Sequence, residues 1–376
     1  MTHQRHADAS SQHLLLDASP QALTLPRLQQ THRLRLFYGD LHNHTGYSDG
    51  IGRPEEALRQ MRARGLHFAA ITDHGEFFDR DSPIRAPHKW DATAQQVAAL
   101  TGDDFLAIRG FEWSSPHQGH SNVWCSAAYT SYHHTGDRSM QAFYEWLTSA
   151  QPMPGAQVLA SFNHPGREVV CFDGCVFVPT LDERIIALEC FNRGDDYGDA
   201  YFQALDRGWH VGAIGVSDHH RDDWGNPGFP RAGVLASALT LSQLQTALMA
   251  RRVFATRSPT LALLVMSRDA LMGSRLHLGA SDPLRIDVWC HDPPARHSRA
   301  RLELWSNGRR LIATHEIRGL HQVAWQVTLP PRDVREYWFV VRVLYEGMVQ
   351  AYSSPLWARW SPSHSSLLGP TDLSLA

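Results

Sequence analysis

The feature that most constrains the fold is a short apolar run followed by metal-type side chains, which recurs five times along the chain. The runs lie at residues 68–71, 105–108, 158–160, 185–188 and 211–216, and a His, Asp or Glu follows each of them within a few positions. Continuous apolar runs of this length, bounded by turn residues, are typical of buried parallel strands. The recurrence predicts several strands whose carboxyl ends carry the functional groups.

Helix-like segments separate these runs, at residues 54–64, 137–150, 196–207 and 242–252. The first has Pro54 near its start and Gly65 at its end, and Gly208 follows the third, as is typical of helix termini. Strand, functional residue and helix in regular alternation predict an α/β fold of the (β/α) barrel type. In such barrels the active site lies at the carboxyl ends of the strands.

A His-x-His pair lies near the start of this pattern, in the segment GDLHNHTGYSDG at residues 39–50. His42 and His44 are two positions apart at the end of an apolar stretch, so an extended chain projects both imidazoles to one side. Alone, such a pair is more often two surface or core histidines than a metal site. Here a Thr-Asp-His cluster follows at residues 72–74.

The ordered set of motifs over residues 36 to about 225 resembles the polymerase-and-histidinol-phosphatase (PHP) superfamily of metallohydrolases, and looks closest to its carbaryl-hydrolase-like branch. The motifs are GDLHNH at 39–44, SDG at 48–50, TDH at 72–74, GFE at 110–112, GHSN at 119–122, NHP at 163–165 and SDHH at 217–220. This resemblance implies a distorted (β/α)7 barrel that holds two to three divalent metal ions.

The resemblance also implies nine metal ligands, all of them imidazoles or carboxylates. The first ion would be held by His42, His44, Glu112 and Asp218, the second by Glu112 as a bridge with His120 and His164, and the third by Asp49, His74 and His220. Imidazole and carboxylate without thiolate suit zinc, manganese or iron, so the identity of the metal stays open.

Some of these assignments have plain structural alternatives. His117, His133 and His134 lie near His120 in the sequence and could be confused with it. Asp49 lies in a Ser-Asp-Gly segment that would also suit an ordinary turn or a helix cap. We expect Asp40 and Asp73 to orient neighbouring imidazoles through their second ring nitrogen, the alternative being a turn or cap role.

The expected chemistry is hydrolysis by a hydroxide that bridges two ions, because a divalent ion lowers the pKa of bound water from roughly 16 to about 7. His219 is the favoured acid because no metal needs it, although its ring could instead pack behind the ligands. Arg167, Arg193 and Arg221 follow the ligand motifs and would suit an anionic small-molecule substrate. Each of them could also form an ordinary surface salt bridge.

Aromatic residues in the same loops are expected to wall the pocket, with core packing as the alternative. They are Phe77, Phe78, Trp113, Tyr197, Trp224 and Phe229. Glu189 has no ligand position in the PHP pattern, and we expect it to be a structural carboxylate or one that supports a ligand.

Three functions are compatible with these residues. The first is a metal-dependent phosphoesterase acting on a small phosphate mono- or diester, and the second is a carbamate or carboxyl ester hydrolase using the same metals. The third, a binding module without catalysis, is disfavoured because all nine ligand positions carry suitable residues. A cation-lined site would favour phosphate, and an apolar pocket without a cation would favour the carbamate.

The amino-acid composition limits the kinds of partner that this protein is expected to bind. The net charge is −3, from 35 basic and 38 acidic residues, so extended nucleic-acid binding is not expected. No apolar run approaches the roughly 20 residues that span a membrane. Five cysteines without paired spacing are expected to be reduced thiols, which favours a cytoplasmic location. Self-association into a homo-oligomer stays open.

The sequence pattern predicts four regions. They are a flexible N-terminal extension at 1–33, the barrel at 34–258, a β-sandwich at 259–358 and a disordered tail at 359–376. In the third region strands are expected at 284–290, 300–305, 309–313, 323–329 and 337–344. Asn307-Gly308 predicts a tight hairpin turn in which both residues have positive φ.

Overall fold

A computed structural model describes residues 24–168, 171–295, 298–318 and 322–362. Helices and strands alternate through the first part of the chain. In order they are α1 Leu25–His32, β1 Arg35–Asp40, α2 Pro54–Ala63, β2 Phe68–Ile71, α3 Lys89–Leu100, β3 Leu106–Ser115, β4 Gly119–Trp124, α4 Met140–Ser149, β5 Leu159–Phe162, α5 Phe172–Cys175, β6 Ile185–Asn192, β7 Asp195–Asp196, α6 Gly198–Asp206, β8 Gly212–Val216, β9 Arg231–Ala236, α7 Leu241–Met249 and β10 Val253–Thr256.

Strands dominate the remainder of the described chain. They are β11 Ala262–Ser267, β12 Ala270–Leu271, β13 Arg275–Leu278, β14 Leu284–His291, β15 Arg299–Ser306, β16 Arg310–Arg318, β17 Val323–Leu329, β18 Glu336–Tyr345, β19 Met348–Ser353 and β20 Leu356–Trp360. The fold is therefore mixed α/β with a large β-rich portion, as the change of pattern near residue 258 predicts.

The first sheet is mixed, because β9 pairs antiparallel with β1 and with β10, and β7 pairs antiparallel with β6. β1, β2 and β3 pair in parallel, and so do β5, β6 and β8. β4 pairs antiparallel with both β3 and β5. The reversal occurs because β3 turns directly into β4 with a short connection, and strands joined in that way pair antiparallel. Glu112 consequently lies inside β3, and His120 lies on β4.

Apolar faces of helices cover the parallel strands, whose residues are buried throughout in β2, β6 and β8. α2 buries Ala57, Leu58 and Met61 on one face, the spacing expected of an amphipathic helix. α3 was not predicted from the sequence. Its buried residues Trp90, Thr93, Val97 and Leu100 have helical spacing, so the sequence carried a signal for this helix that the prediction missed.

The β-rich portion continues the first sheet. β10 pairs with β9 on one side and with β19 on the other, and β18 then links β19, β20 and β15. A second sheet contains β12, β11, β14 and β17 in that order. The two sheets share an apolar core that includes Leu264, Val288, Leu304 and Val341. The predicted strands of this portion are all present, with small shifts at their ends.

Two boundaries differ from the sequence prediction. Part of the N-terminal extension forms α1, where Thr24 Oγ1 accepts the N–H of Arg27 at 3.3 Å and Leu28 is buried. A helix cap and one apolar anchor thus order a segment that is otherwise polar. β20 runs to Trp360, past the predicted start of the tail at 359. The rest of the predicted extension and tail, at 1–23 and 363–376, lies outside the described residues.

The predicted hairpin between β15 and β16 is present, but its turn is displaced. Positive φ occurs at Gly308 (71°) and Arg309 (54°) and not at Asn307. The Asn307 side chain is used elsewhere, since its Oδ1 accepts the N–H of Trp338 at 2.9 Å. A long-range hydrogen bond has therefore replaced the local turn role that the Asn-Gly pair predicted.

None of the described helices combines the length and the apolar character that a membrane crossing needs. The five cysteines are all unpaired thiols, as predicted. Burial raises the pKa of Cys125 and of Cys175 to about 12, so these thiols are poor nucleophiles at neutral pH.

His210 links the α/β part to the β-rich portion. Its Nδ1 lies 2.8 Å from Asp182 Oδ2, and its Nε2 lies 2.8 Å from Glu336 Oε1 on β18. Burial lowers the pKa of His210, but the two carboxylates outweigh burial and raise it above 6.5. Both ring nitrogens face acceptors, so the imidazolium form satisfies the site best.

This link makes stability depend on pH. Because the folded pKa of His210 is raised, its contribution is complete below the unfolded value near 6.5 and is lost as pH rises through the folded value. Asp182 has a lowered pKa despite its burial, so its contribution is lost as pH falls through that value. We expect His210→Gln to reduce the free energy of unfolding by about 1–2 kcal/mol at pH 6 and by less at pH 9, measured by urea unfolding. An equal loss at both pH values would contradict a charged link.

Candidate metal centre

All nine residues that the sequence singled out as ligands meet in one cluster, and Glu112 lies at its centre. Five imidazole nitrogens lie 3.0–3.4 Å from its two carboxylate oxygens, and they belong to His42, His44, His74, His120 and His164. Glu112 is 1 % exposed. A carboxylate surrounded in this way can bridge neighbouring cations, as the family resemblance implies.

Two further carboxylates complete the cluster. Asp218 Oδ1 lies 3.4 Å from His42 Nε2 and 3.2 Å from His44 Nε2. Asp49 Oδ1 lies 3.3 Å from His220 Nε2 and 3.7 Å from His74 Nε2. Asp49 therefore faces imidazoles rather than capping α2, which begins at Pro54.

The cluster divides into four overlapping groups with metal-ligand spacing, and within each group the ligand atoms lie within 4.8 Å of one another. They are His42–His44–Asp218, His44–Asp49–His74–His220, His74–Glu112–His120 and His120–His164–Glu168. The first three resemble the expected partition, except that His44 and His74 each approach a second group. Glu168 was not predicted.

Backbone geometry helps to aim two of these side chains. His164 (φ 26°) and Asp218 (φ 47°) both have positive φ, which is uncommon for residues other than glycine. Each directly follows a strand, where the chain must turn sharply to keep its side chain inside the cluster. Strained backbone of this kind is typical of functional sites.

Glu189 supports two candidate ligands at once. Its Oε1 lies 2.7 Å from His42 Nδ1, which leaves Nε2 of that ring to face Glu112 and Asp218. Its Oε2 accepts the backbone N–H of His164 and the side-chain amide of Asn192, both at 2.8 Å. A carboxylate on the second ring nitrogen fixes the tautomer and orientation of a ligand imidazole. Of the two roles expected for Glu189, these contacts match support of a ligand.

Asp40 and Asp73 do not contact imidazole rings through hydrogen bonds in the described residues, contrary to our expectation. Asp40 accepts the hydroxyl of Ser217 and the backbone N–H of His42. Asp73 accepts the hydroxyls of Thr45 and Ser48 at 2.7 Å and 2.6 Å. Both carboxylates fix the loops that carry the ligands. Serine and threonine hydroxyls lie closer to Asp40 and Asp73 than any described imidazole does, and they take the hydrogen bonds that we expected the rings to donate.

Asn163 supports the central carboxylate Glu112. The sequence analysis listed it only as part of the NHP motif and gave it no role. Its Nδ2 donates to Glu112 Oε1 at 2.8 Å, and its Oδ1 accepts from Ser161 Oγ at 2.7 Å and from the N–H of Asn122 at 3.2 Å. The amide therefore holds the central carboxylate in place. Its position directly before the candidate ligand His164 was the only sequence feature that could have indicated this role.

Two of the arginines expected to bind substrate, Arg167 and Arg193, lie against the cluster but are already engaged. Arg167 donates to Asp218 Oδ2 at 2.8 Å, to Asn192 Oδ1 at 2.7 Å and to the Tyr197 hydroxyl at 3.1 Å. Arg193 donates to the backbone carbonyl of Asp218 and faces His220 Nδ1 at 2.7 Å, and its side chain is 47 % exposed. Arg221 is exposed.

His219 is not brought into the cluster. Its ring lies 4.8 Å from that of Phe229 and 6.3 Å from that of Trp224, and its Nε2 lies 2.5 Å from Asp223 Oδ1. This is the packed position that we considered as the alternative to an acid role. The backbone carbonyl of His219 accepts the N–H of His44 at 2.8 Å and so positions that ligand.

Three of the six expected pocket aromatics are core residues. Phe78, Trp113 and Trp224 are buried, and Trp113 stacks on Phe143 with the ring centroids 4.4 Å apart. Phe77 lies nearer the cluster, with its ring centroid 6.2 Å from that of His74. The aromatic wall predicted from the sequence is therefore much smaller.

The electrostatics of the cluster fit divalent cations. Burial lowers the pKa of His42, but the charges of Asp218, Glu112 and Glu189 outweigh burial and raise it. Burial, with the nearby His74 and His220, lowers the pKa of His44 to about 3. A proton on His42 supplies positive charge that a divalent ion would supply in its place. In addition, His164 Nδ1 is buried without a hydrogen-bond partner in the described part of the chain.

Comparisons with known proteins found one matching family model and several similar solved structures. A family model described as PHP domain matches residues 40–147. A two-domain protein from Bacteroides vulgatus ATCC 8482, described as containing a predicted PHP-like metal-dependent phosphoesterase, is 16% identical with a TM-score of 0.48, over 86% of this chain and 96% of that one. No curated protein matches the chain.

Two further solved structures are similar over shorter stretches. One, provisionally described as a metal-dependent phosphoesterase from Bifidobacterium adolescentis ATCC 15703, is 16% identical with a TM-score of 0.30, over 49% of this chain and 88% of that one. The other, an amidohydrolase from Chromobacterium violaceum with bound sulfate, is 16% identical with a TM-score of 0.30, over 57% of this chain and 96% of that one. The PHP-domain match and the buried cluster of imidazoles and carboxylates together support a metal-dependent hydrolase.

Proposed function

We propose that this chain is a metal-dependent phosphoesterase that cleaves a small phosphate mono- or diester. The observation that carries the proposal is the meeting of two guanidinium groups, Arg167 and Arg193, at Asp218 on the edge of the cluster. Positive charge beside a metal site favours an anionic substrate. Membership of the carbaryl-hydrolase-like branch is proposed on the sequence motifs alone, and it favours the carbamate or ester alternative given below.

Nine residues are proposed to hold two to three ions of zinc, manganese or iron. They are His42, His44, Glu112 and Asp218 for the first ion, Glu112, His120 and His164 for the second, and Asp49, His74 and His220 for the third. When bound, such ions lower the pKa of water and polarise the scissile phosphoryl or carbonyl group. Orientation of the ligands, substrate contact and proton donation depend on the protein's own side chains.

The supporting residues are proposed to keep the ligands aligned. Glu189 orients His42, Asn163 orients Glu112, and Arg167 orients Asp218 through the contacts described above. Arg193 is the better candidate for substrate contact because its side chain is half exposed. His219 remains a proposed proton donor only if its contact with Asp223 opens, since that contact occupies Nε2.

The barrel architecture and the domain boundaries belong to the same proposal. An isolated parallel bridge between Asn43 and His219 joins the ends of the first and last parallel strands. A Cβ added at Gly215 on β8 would lie 2.7 Å from the carbonyl oxygen of Arg231 on β9, so these strands approach closely. Both observations support a closed, distorted (β/α)7 barrel over residues 34–258, followed by a β-sandwich over 259–358.

Carbamate or carboxyl ester hydrolysis is the second candidate. Each of the three guanidinium nitrogens of Arg167 already donates to a protein group, so this guanidinium offers less to a phosphate than its position suggests. Phe77 beside His74 would suit an apolar leaving group. These observations favour a substrate with less charge.

Chelation followed by reconstitution tests the proposal. We expect a chelator to abolish hydrolysis and added manganese or zinc to restore it, because the clustered ligands need a cation to act. Elemental analysis of the purified protein, with a screen of chromogenic phosphate monoesters, phosphate diesters and aryl carbamates, gives the measurement. Turnover of carbamates alone would favour the second candidate, and full activity after verified metal removal would exclude both.

A further inference from the structure

Glu168 is a carboxylate beside the cluster that the nine-ligand set leaves unused. It lies in the loop after β5, four positions beyond His164, and its side chain is only 12 % exposed. Its Oε1 lies 3.8 Å from His120 Nε2, and its Oε2 accepts the thiol hydrogen of Cys171 at 3.2 Å.

No lysine or arginine forms an ion pair with Glu168 in the described residues. Burying a carboxylate without a compensating cation is costly, because the charge loses most of its hydration. A thiol and a distant imidazole compensate only weakly. The environment of Glu168 therefore lacks positive charge, and a divalent ion at His120 and His164 would supply it.

The same ion position has only two ligands of its own. In the nine-residue set it has two imidazoles, from His120 and His164, and only a share of Glu112, which five imidazoles surround. A zinc-type site usually has four ligands, at least three of them from the protein. Suitable atoms of His120, His164 and Glu168 all lie within 4.8 Å of one another, close to the roughly 3–4 Å that separates ligands of one ion.

We propose that Glu168 is a tenth metal ligand, which contributes a carboxylate oxygen to the ion held by His120 and His164. This inference rests on the proposed metal-dependent function. Glu168 faces Nε2 of His120, whereas the shared Glu112 faces Nδ1 of the same ring, so His120 would bind this ion through Nε2.

The test compares metal affinity in Glu168→Gln and Glu168→Ala with that of the wild type. Gln keeps a hydrogen-bond acceptor of the same size but removes the charge, whereas Ala removes both. We expect both variants to bind the weakest ion more than about 100-fold less tightly, since loss of a group that only supports a ligand already costs about 10- to 100-fold. Elemental analysis after dialysis against graded chelator concentrations measures this, and circular dichroism checks the fold. Glu145→Gln, at an exposed position on α4, is the matched control.

The alternatives give different results. Wild-type affinity in Glu168→Gln with a loss in Glu168→Ala would mean that the side chain only orients His120, and would overturn the proposal. Wild-type affinity in both variants would overturn it as well. If the Ala variant does not fold, the Gln variant decides alone. A wild-type protein that binds metal without hydrolysing phosphate would overturn the proposed function and leave this inference standing, whereas one that binds no metal would overturn both.

Discussion

Glu112→Gln is expected to reduce hydrolysis by at least roughly 10³-fold while the protein stays folded. Five imidazoles surround this carboxylate, and Gln would keep its size and an acceptor for the Asn163 amide, but not its charge. Burial raises the pKa of Glu112, yet His42, His120 and His74 outweigh burial and lower it well below its ordinary value. The wild-type group is thus ionised whenever the enzyme works.

The measurement is kcat/KM on the best chromogenic substrate, together with metal content and thermal unfolding. Glu145→Gln on the exposed face of α4 controls for the loss of one carboxylate and should retain wild-type activity. Undiminished turnover in Glu112→Gln would remove the metal mechanism. Loss of activity with loss of fold would be uninformative, so the unfolding transition is recorded on the same sample.

The cluster was predictable because its members follow apolar runs at strand ends. His42, His74 and Asp218 each lie within three residues of a buried strand in the structure, and parallel strands bring such positions to one edge. Local patterns predicted that metal-type side chains meet at strand ends, whereas the family resemblance supplied the set of nine ligands. The sequence did not predict that β4 would run antiparallel between β3 and β5. No local sequence pattern indicates the direction in which one short strand pairs with its two neighbours.

The supporting contacts were not predictable, because each joins residues that are distant in the sequence. Glu189 meets His42 across 147 positions, and Arg167 meets Asp218 across 51. Nothing in the residue order distinguishes a guanidinium held by a ligand from one free for substrate. For the same reason Asp40 and Asp73 were assigned to imidazoles, although hydroxyl groups brought in by folding were better partners.

The β-rich portion contacts α6 mainly through aromatic rings. Trp338 on β18 is 1 % exposed and stacks on Phe202 of α6, with the ring centroids 5.2 Å apart and an angle of 19° between the planes. Its Nε1 donates to Asp206 Oδ1 at 2.9 Å. Trp305 packs on the same Phe202 ring at 5.5 Å. This cluster spans the proposed boundary near residue 258.

Trp338→Ala is therefore expected to reduce the free energy of unfolding by about 3–5 kcal/mol, since it leaves a large cavity and removes the indole hydrogen bond to Asp206. Trp325→Ala on β17 is the control, because Trp325 is only half-buried and stacks on His315 away from α6. Urea unfolding followed by circular dichroism measures both variants, and limited proteolysis reports which segment opens first. Because β10 also ties the two parts through β9 and β19, we expect one cooperative transition. Early cleavage within 259–357 while residues 34–258 stay intact would mean that the β-rich portion is a loosely attached domain.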